Sequence, residues 1–144
     1  MTMSNLHPGF ILIAVGLIAL FVPKSLRRPV LAAGPLLGLG AVLTLAPGTN
    51  ATLPFINGIT LHYLHVDALS WIFALIFCMM AAIGGIYACH NSNRMEAFCS
   101  MTYAGSALGV TLAQDWLTLI FFSELMAGTS LFLIWGKKTP ASRQ

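Results

Sequence analysis

Residues 116–135 read WLTLIFFSELMAGTSLFLIW, an apolar run of helical length with one charge, Glu124, close to its middle. An α-helix rises 1.5 Å per residue, so about 20 such residues cross a hydrocarbon layer about 30 Å thick. Four further runs repeat the theme, at 8–22, 30–46, 68–89 and 97–113. Across the whole chain 58% of residues are hydrophobic and 8% are charged, with a mean hydropathy of +0.85. A water-facing domain carries roughly 25% charged residues, so a soluble fold is excluded. The expected architecture is all-α and integral to the membrane, a single domain over residues 1–144 with about five transmembrane helices.

Charge placement gives orientation. Lys24, Arg27 and Arg28 crowd the link between the first two runs, Arg94 precedes the fourth, and Lys137, Lys138 and Arg143 follow the fifth. Basic residues collect on the cytoplasmic side of membrane spans. Five alternating spans put all seven on one side, with the N-terminus outside and the C-terminus cytoplasmic, which an even number of spans does not. Because each basic cluster borders an apolar run, topology accounts for the net charge of +3 and nucleic acid is not an expected partner. The first run has no Lys or Arg before it, unlike a signal peptide, and is read as a retained helix. Trp71, Trp116 and Trp135 fall near predicted helix ends, where indole rings favour the headgroup zone.

The segment between the second and third runs is free of Lys and Arg. It carries β-formers on both sides of Asn57-Gly58, a hairpin signal. Strands at 53–56 and 59–64 are expected on the outer face, with His62 and His65 solvated there. Gly105 and Gly109 are spaced as GxxxG in the fourth run, and Gly34 and Gly38 in the second. Small residues at that spacing let helix backbones approach closely in lipid. Cys78, Cys89 and Cys99 have no metal-ligand spacing and read as apolar packing residues. No metal site, cofactor site or nucleophile arrangement is present, so the chain has no enzymatic active site of its own.

Glu124 is the residue that carries chemistry. It lies nine residues from Asp115, about 13 Å along a helix and close to the midplane. A charged side chain at that depth costs about 2.5–3.5 kcal/mol on insertion scales. Desolvation favours the protonated acid, so such a carboxyl group is suited to taking up and releasing a proton. Ser123, Thr129 and Ser130 are candidate hydrogen-bonding neighbours, and Ala127 and Gly128 leave space beside it. Asp67 and Asp115 stand at helix starts, where a carboxylate caps free N–H groups. Glu96 and Arg94 read as a solvated inner loop.

The stretch from Val66 to Ser70, VDALS, and the stretch from Asp115 to Met126, DWLTLIFFSELM, together resemble the antiporter-like membrane subunits of respiratory complex I. The same family includes subunits of Mrp-type cation/proton antiporters and of membrane-bound hydrogenases. The likeness covers nearly the whole chain, with Ser123 standing where the family usually has Trp. Family members have a dozen or more helices, so the resemblance implies that this is the N-terminal portion of a larger subunit. It implies a multi-pass protein of the bacterial cytoplasmic membrane that moves protons, with or without exchange for Na+. It further implies that Glu124 is the membrane glutamate coupled to a lysine on a later helix. The implied partners are other membrane subunits, among them a chain supplying the missing helices and that lysine. The alternatives are a structural or assembly subunit, an inactive truncated fragment, and a small transporter acting alone.

Overall fold

The computed structural model describes residues 7–54, 60–88 and 93–136. Among them run five helices and one two-stranded sheet: α1 (Pro8–Phe21), α2 (Lys24–Thr44), β1 (Asn50–Pro54), β2 (Thr60–His65), α3 (Ala68–Ala88), α4 (Arg94–Leu112) and α5 (Trp116–Gly136). Three of the helices match the apolar runs to within a residue at both ends, and the other two start earlier than the sequence suggested.

Helix α2 begins at Lys24, six residues before the expected Val30, so the basic cluster forms helix rather than link. Pro29 and Pro35 lie inside it. Pro29 removes one N–H and one intrahelical bond near the start, a local loss that the rest of the helix outlasts. The connection from α1 shrinks to Val22-Pro23. There the Val22 N–H donates to the Ile18 carbonyl (3.1 Å), and the Pro23 carbonyl accepts from Leu26 and Arg27 (3.1 and 3.0 Å). Helix α4 begins at Arg94, which puts Glu96 in its first turn rather than in a loop. An acid there faces the positive end of the helix dipole.

The hairpin is also displaced. Strand β1 starts at Asn50, and the antiparallel register pairs Asn50 with His65, Ala51 with Leu64, Leu53 with Leu61 and Pro54 with Thr60, shifting between Ala51 and Leu53. The predicted turn at Asn57-Gly58 lies outside the described residues.

Glycines fix the packing of the bundle. A methyl group at Gly9 would lie 2.5 Å from the Gly105 carbonyl, and one at Gly105 would lie 2.6 Å from the Gly9 carbonyl. The α1 and α4 backbones therefore touch at this point, which only glycine on both sides permits. Val15 of α1 fills the notch at Gly34 of α2, and the Leu31 carbonyl of α2 lies 2.7 Å from a methyl at Gly85 of α3. With α3 against α4, these contacts close a ring of four helices. Helix α5 stands outside the ring and packs on α4, where the Phe122 ring fills the notch at Gly109.

A main core lies toward the hairpin, where Leu12, Val42, Leu64, Val66, Leu108 and Leu112 meet. A smaller one, of Ala19, Leu31, Ala97 and Met101, closes the other end. Trp71 serves this packing: its indole N–H donates to the Val42 carbonyl in the last turn of α2 (3.1 Å).

Three helices are long and apolar enough to cross a membrane: Lys24–Thr44, Ala68–Ile86 and Trp116–Trp135. Helix α1 is apolar but has 14 residues. Helix α4 has 19 residues and carries Thr102 and Ser106 among its buried positions. Its place between α1, α3 and α5 explains that composition, because protein rather than solvent surrounds it. Large apolar side chains cover the outside of α3 and α5, including Ile72, Ile76, Met80, Ile120, Phe121 and Phe132. Apolar surface on that scale marks contact with lipid or with another protein.

Candidate functional site

Helix α5 is apolar all round, so composition alone does not orient it. Its buried stripe is Thr118, Phe122 and Thr129, which face α4. Glu124 lies two residues beyond Phe122, about 200° around the helix, and is exposed on the outside of the bundle. It is eight residues past Trp116, the first residue of α5, hence about 12 Å into the helix. Ile120, Phe121, Ala127 and Gly128 share its face and are exposed as well. A methyl group added at Gly128 would meet nothing within 4 Å. The result is one carboxyl group on an uncovered apolar face.

The three hydroxyls that the sequence placed near Glu124 are engaged elsewhere. Ser123 donates to the Ile120 carbonyl (2.9 Å), Ser130 to Ala127 (2.8 Å), and Thr129 to Leu125 and Met126 (2.9 and 3.0 Å). Each bonds back into its own helix, as Ser and Thr do inside helices. The packing of the described residues thus leaves the Glu124 side chain uncovered.

Asp67 caps α3. Its carboxylate accepts the Ser70 N–H (2.7 Å), and the Ser70 hydroxyl accepts the Asp67 N–H (2.9 Å), a reciprocal pair that satisfies two orphan donors. The Ser70 hydrogen bonds hold this carboxyl below the usual carboxylate range. Asp115 does more than begin α5, since its carboxylate accepts the backbone N–H of His62 and ties β2 to that helix. Its own carbonyl accepts from Leu119 (2.9 Å). Gly105 and Gly109 sit at the two closest approaches of α4, to α1 and α5 respectively.

His7 was not singled out by its sequence context beyond a possible extension of the first helix. It is 1% exposed and caps α1, its Nδ1 accepting the Gly9 N–H at 3.0 Å. The ring stacks on Phe122 at 5.4 Å and meets the edge of Phe10 at 5.5 Å. Its Nε2 has no hydrogen-bond partner among the described residues, and burial pushes the imidazole down to about 4. The available signal was His7 directly before Pro8, since proline favours the first helical position.

Two cavities line the seam between α3 and α4. The outer, about 420 Å³, is bounded by His65, Asp67, Phe73, Phe77 and Thr111. The inner, about 250 Å³, is bounded by Phe77, Met80, Gly84, Ser100 and Ala107. Among the described residues, no group of three or more His, Cys, Asp or Glu could hold a metal ion. Cys78 and Cys99 are buried free thiols. No protein-family model, curated protein or solved structure matches the chain.

Proposed function

We propose that the chain is a multi-pass component of an ion-translocating complex in a bacterial cytoplasmic membrane, with its N-terminus outside. In this reading it is the N-terminal portion of an antiporter-like subunit, and Glu124 transfers protons, with or without exchange for Na+. The observation that carries the reading is the setting of Glu124: one acid about 12 Å into an apolar helix, exposed on a face that none of the described residues covers. An ionisable side chain inside a membrane segment is rare and marks an ion or proton path by default. The resemblance of residues 115–126 to the fifth helix of that family supports the same assignment.

The test is Glu124→Gln in the assembled complex, reconstituted in vesicles with a pH-sensitive dye inside. Proton uptake should vanish while the subunits still co-purify. Undiminished uptake in that variant rejects the role. The uncovered face also supports a second reading, in which α5 is an assembly surface and Glu124 only hydrogen-bonds a neighbouring helix. Under that reading Glu124→Gln leaves transport intact, and Gly128→Leu, which fills the open face, breaks co-purification.

A further inference from the structure

The seam between α3 and α4 has a shape and a chemistry that the proton-transfer reading does not use. Along α3, Leu69, Phe73 and Phe77 follow one another at four-residue spacing, and Met80 and Gly84 continue the line. Opposite them α4 offers mainly small residues, Thr111, Ala107, Ala104 and Ser100, which do not fill the space between the helices. The two cavities adjoin at Phe77, which lines both. From Asp67 to Phe77, where the inner cavity begins, is ten residues, about 15 Å along the helix. One leaflet of a bilayer is about 15 Å of hydrocarbon, so a chain anchored at Asp67 reaches the inner cavity.

The mouth of the groove is built of hydrogen-bond acceptors. The Asp67 carboxylate is exposed there, with its Oδ1 accepting the Ser70 N–H. His65 Nδ1 lies 2.5 Å from the Asn50 side-chain oxygen, whose amide nitrogen donates to the Gly48 carbonyl at 3.3 Å. That chain of bonds makes Nδ1 the donor, so Nε2 is the ring nitrogen left to face a ligand. The Thr111 hydroxyl donates to Ala107 and keeps its oxygen lone pairs. An acceptor-rich mouth above an apolar throat suits a donor-bearing cation joined to a hydrocarbon chain.

We infer that the α3–α4 groove binds a phospholipid with a primary ammonium head, its ammonium at Asp67 and His65 and one acyl chain running past Phe77. An ethanolamine head donates N–H bonds to both acceptors. A choline head has the charge but no N–H, and a glycerol head leaves the lipid anionic beside a carboxylate. The inference rests on the membrane placement proposed above and not on Glu124.

The full chain, purified and stripped of lipid, is offered phosphatidylethanolamine, phosphatidylcholine or phosphatidylglycerol, and bound lipid is counted by native mass spectrometry. The ethanolamine lipid should be retained about two- to fivefold over the others, the range an exposed ion pair gives. Asp67→Asn keeps the cap, because asparagine caps as well as aspartate, and should erase that preference. Gly84→Leu, at a position where an added methyl meets nothing within 4 Å, should reduce retention of all three lipids. Equal retention by the unaltered chain, or an unchanged preference in Asp67→Asn, overturns the head-group assignment. Efficient crosslinking of Gly84→Cys to another polypeptide in membranes overturns the lipid as occupant. Alkaline washing separates the two proposals: a chain released from membranes removes the membrane reading itself, whereas a retained chain without lipid preference removes only the groove.

Discussion

Replacing Gly105 with alanine adds one methyl group where the structure has least room. That carbon would lie 2.6 Å from the Gly9 carbonyl, 2.8 Å from the Ile13 Cγ1 and 3.1 Å from the Ile13 nitrogen. Ordinary C···O contacts start near about 3.3 Å, so α1 would have to retreat by about 0.7 Å. Two of the three obstacles are backbone atoms, which no rotamer change relieves. Overpacking of this kind costs about 1–3 kcal/mol, and the upper end applies because a whole helix must move. For a chain of 144 residues, about 3 kcal/mol lowers the melting midpoint by about 6–12 °C. Thermal unfolding in detergent reads this directly, with two internal standards. Gly109→Ala would put its methyl against Cγ and Cδ1 of the buried Phe122 ring and should be destabilising as well. Gly128→Ala meets nothing and should gain up to about 1 kcal/mol from alanine's higher helix propensity. A Gly105→Ala protein as stable as the parent, or an order in which Gly128→Ala is the most damaging, refutes the backbone contact between α1 and α4.

Acid should weaken the outer end of the bundle through His7. Its folded value is lowered from 6.5 to about 4, so the unfolded chain takes up the proton first. Stability is therefore full above pH 6.5 and falls as pH drops toward 4. At about 1.4 kcal/mol per pH unit the total loss is about 3 kcal/mol. Melting midpoints across that range should show it, and His7→Asn, which retains an acceptor for the Gly9 N–H, should flatten the dependence. Asp115→Ala leaves the His62 N–H without its carboxylate, at a cost of about 1 kcal/mol. Hydrogen exchange should quicken in β2 while α1 and α4 keep their protection. Trp71→Phe removes the bond to the Val42 carbonyl, which keeps the Leu45 N–H, so the loss should be only about 0.5 kcal/mol in a denaturation curve.

Much of the helical pattern was readable from apolar runs, most clearly for α3 and α5, whose long apolar stretches leave little choice. The start of α2 was not, because Arg27-Arg28-Pro29 resembles a link and the cost of Pro29 is confined to one bond. Spacing identified Gly105 as a point of close approach but could not name its partner. Gly9 lies in a helix with no GxxxG, and contact depends on register between elements far apart in the chain. For Glu124 the sequence supplied depth and isolation. It could not supply direction, since α5 has apolar residues on every side and only the buried stripe at Thr118, Phe122 and Thr129 says which side faces in. The neighbouring hydroxyls were misjudged for a related reason: adjacency in sequence does not compete well with the carbonyl one turn back. His7 escaped notice because its burial arises from three aromatic side chains contributed by separate elements.

The meeting of Gly9 and Gly105 also bears on how the chain comes to be assembled. Ninety-six positions separate the two glycines, and a ribosome adds about 5–20 residues per second. The first helix therefore waits roughly 5 to 20 seconds for the surface that fits it best. Until the fourth helix emerges, the first three form an open curl with a glycine-lined edge. Whatever shields that edge in the interval, a chaperone, an insertase or lipid, has to leave again before the ring can close.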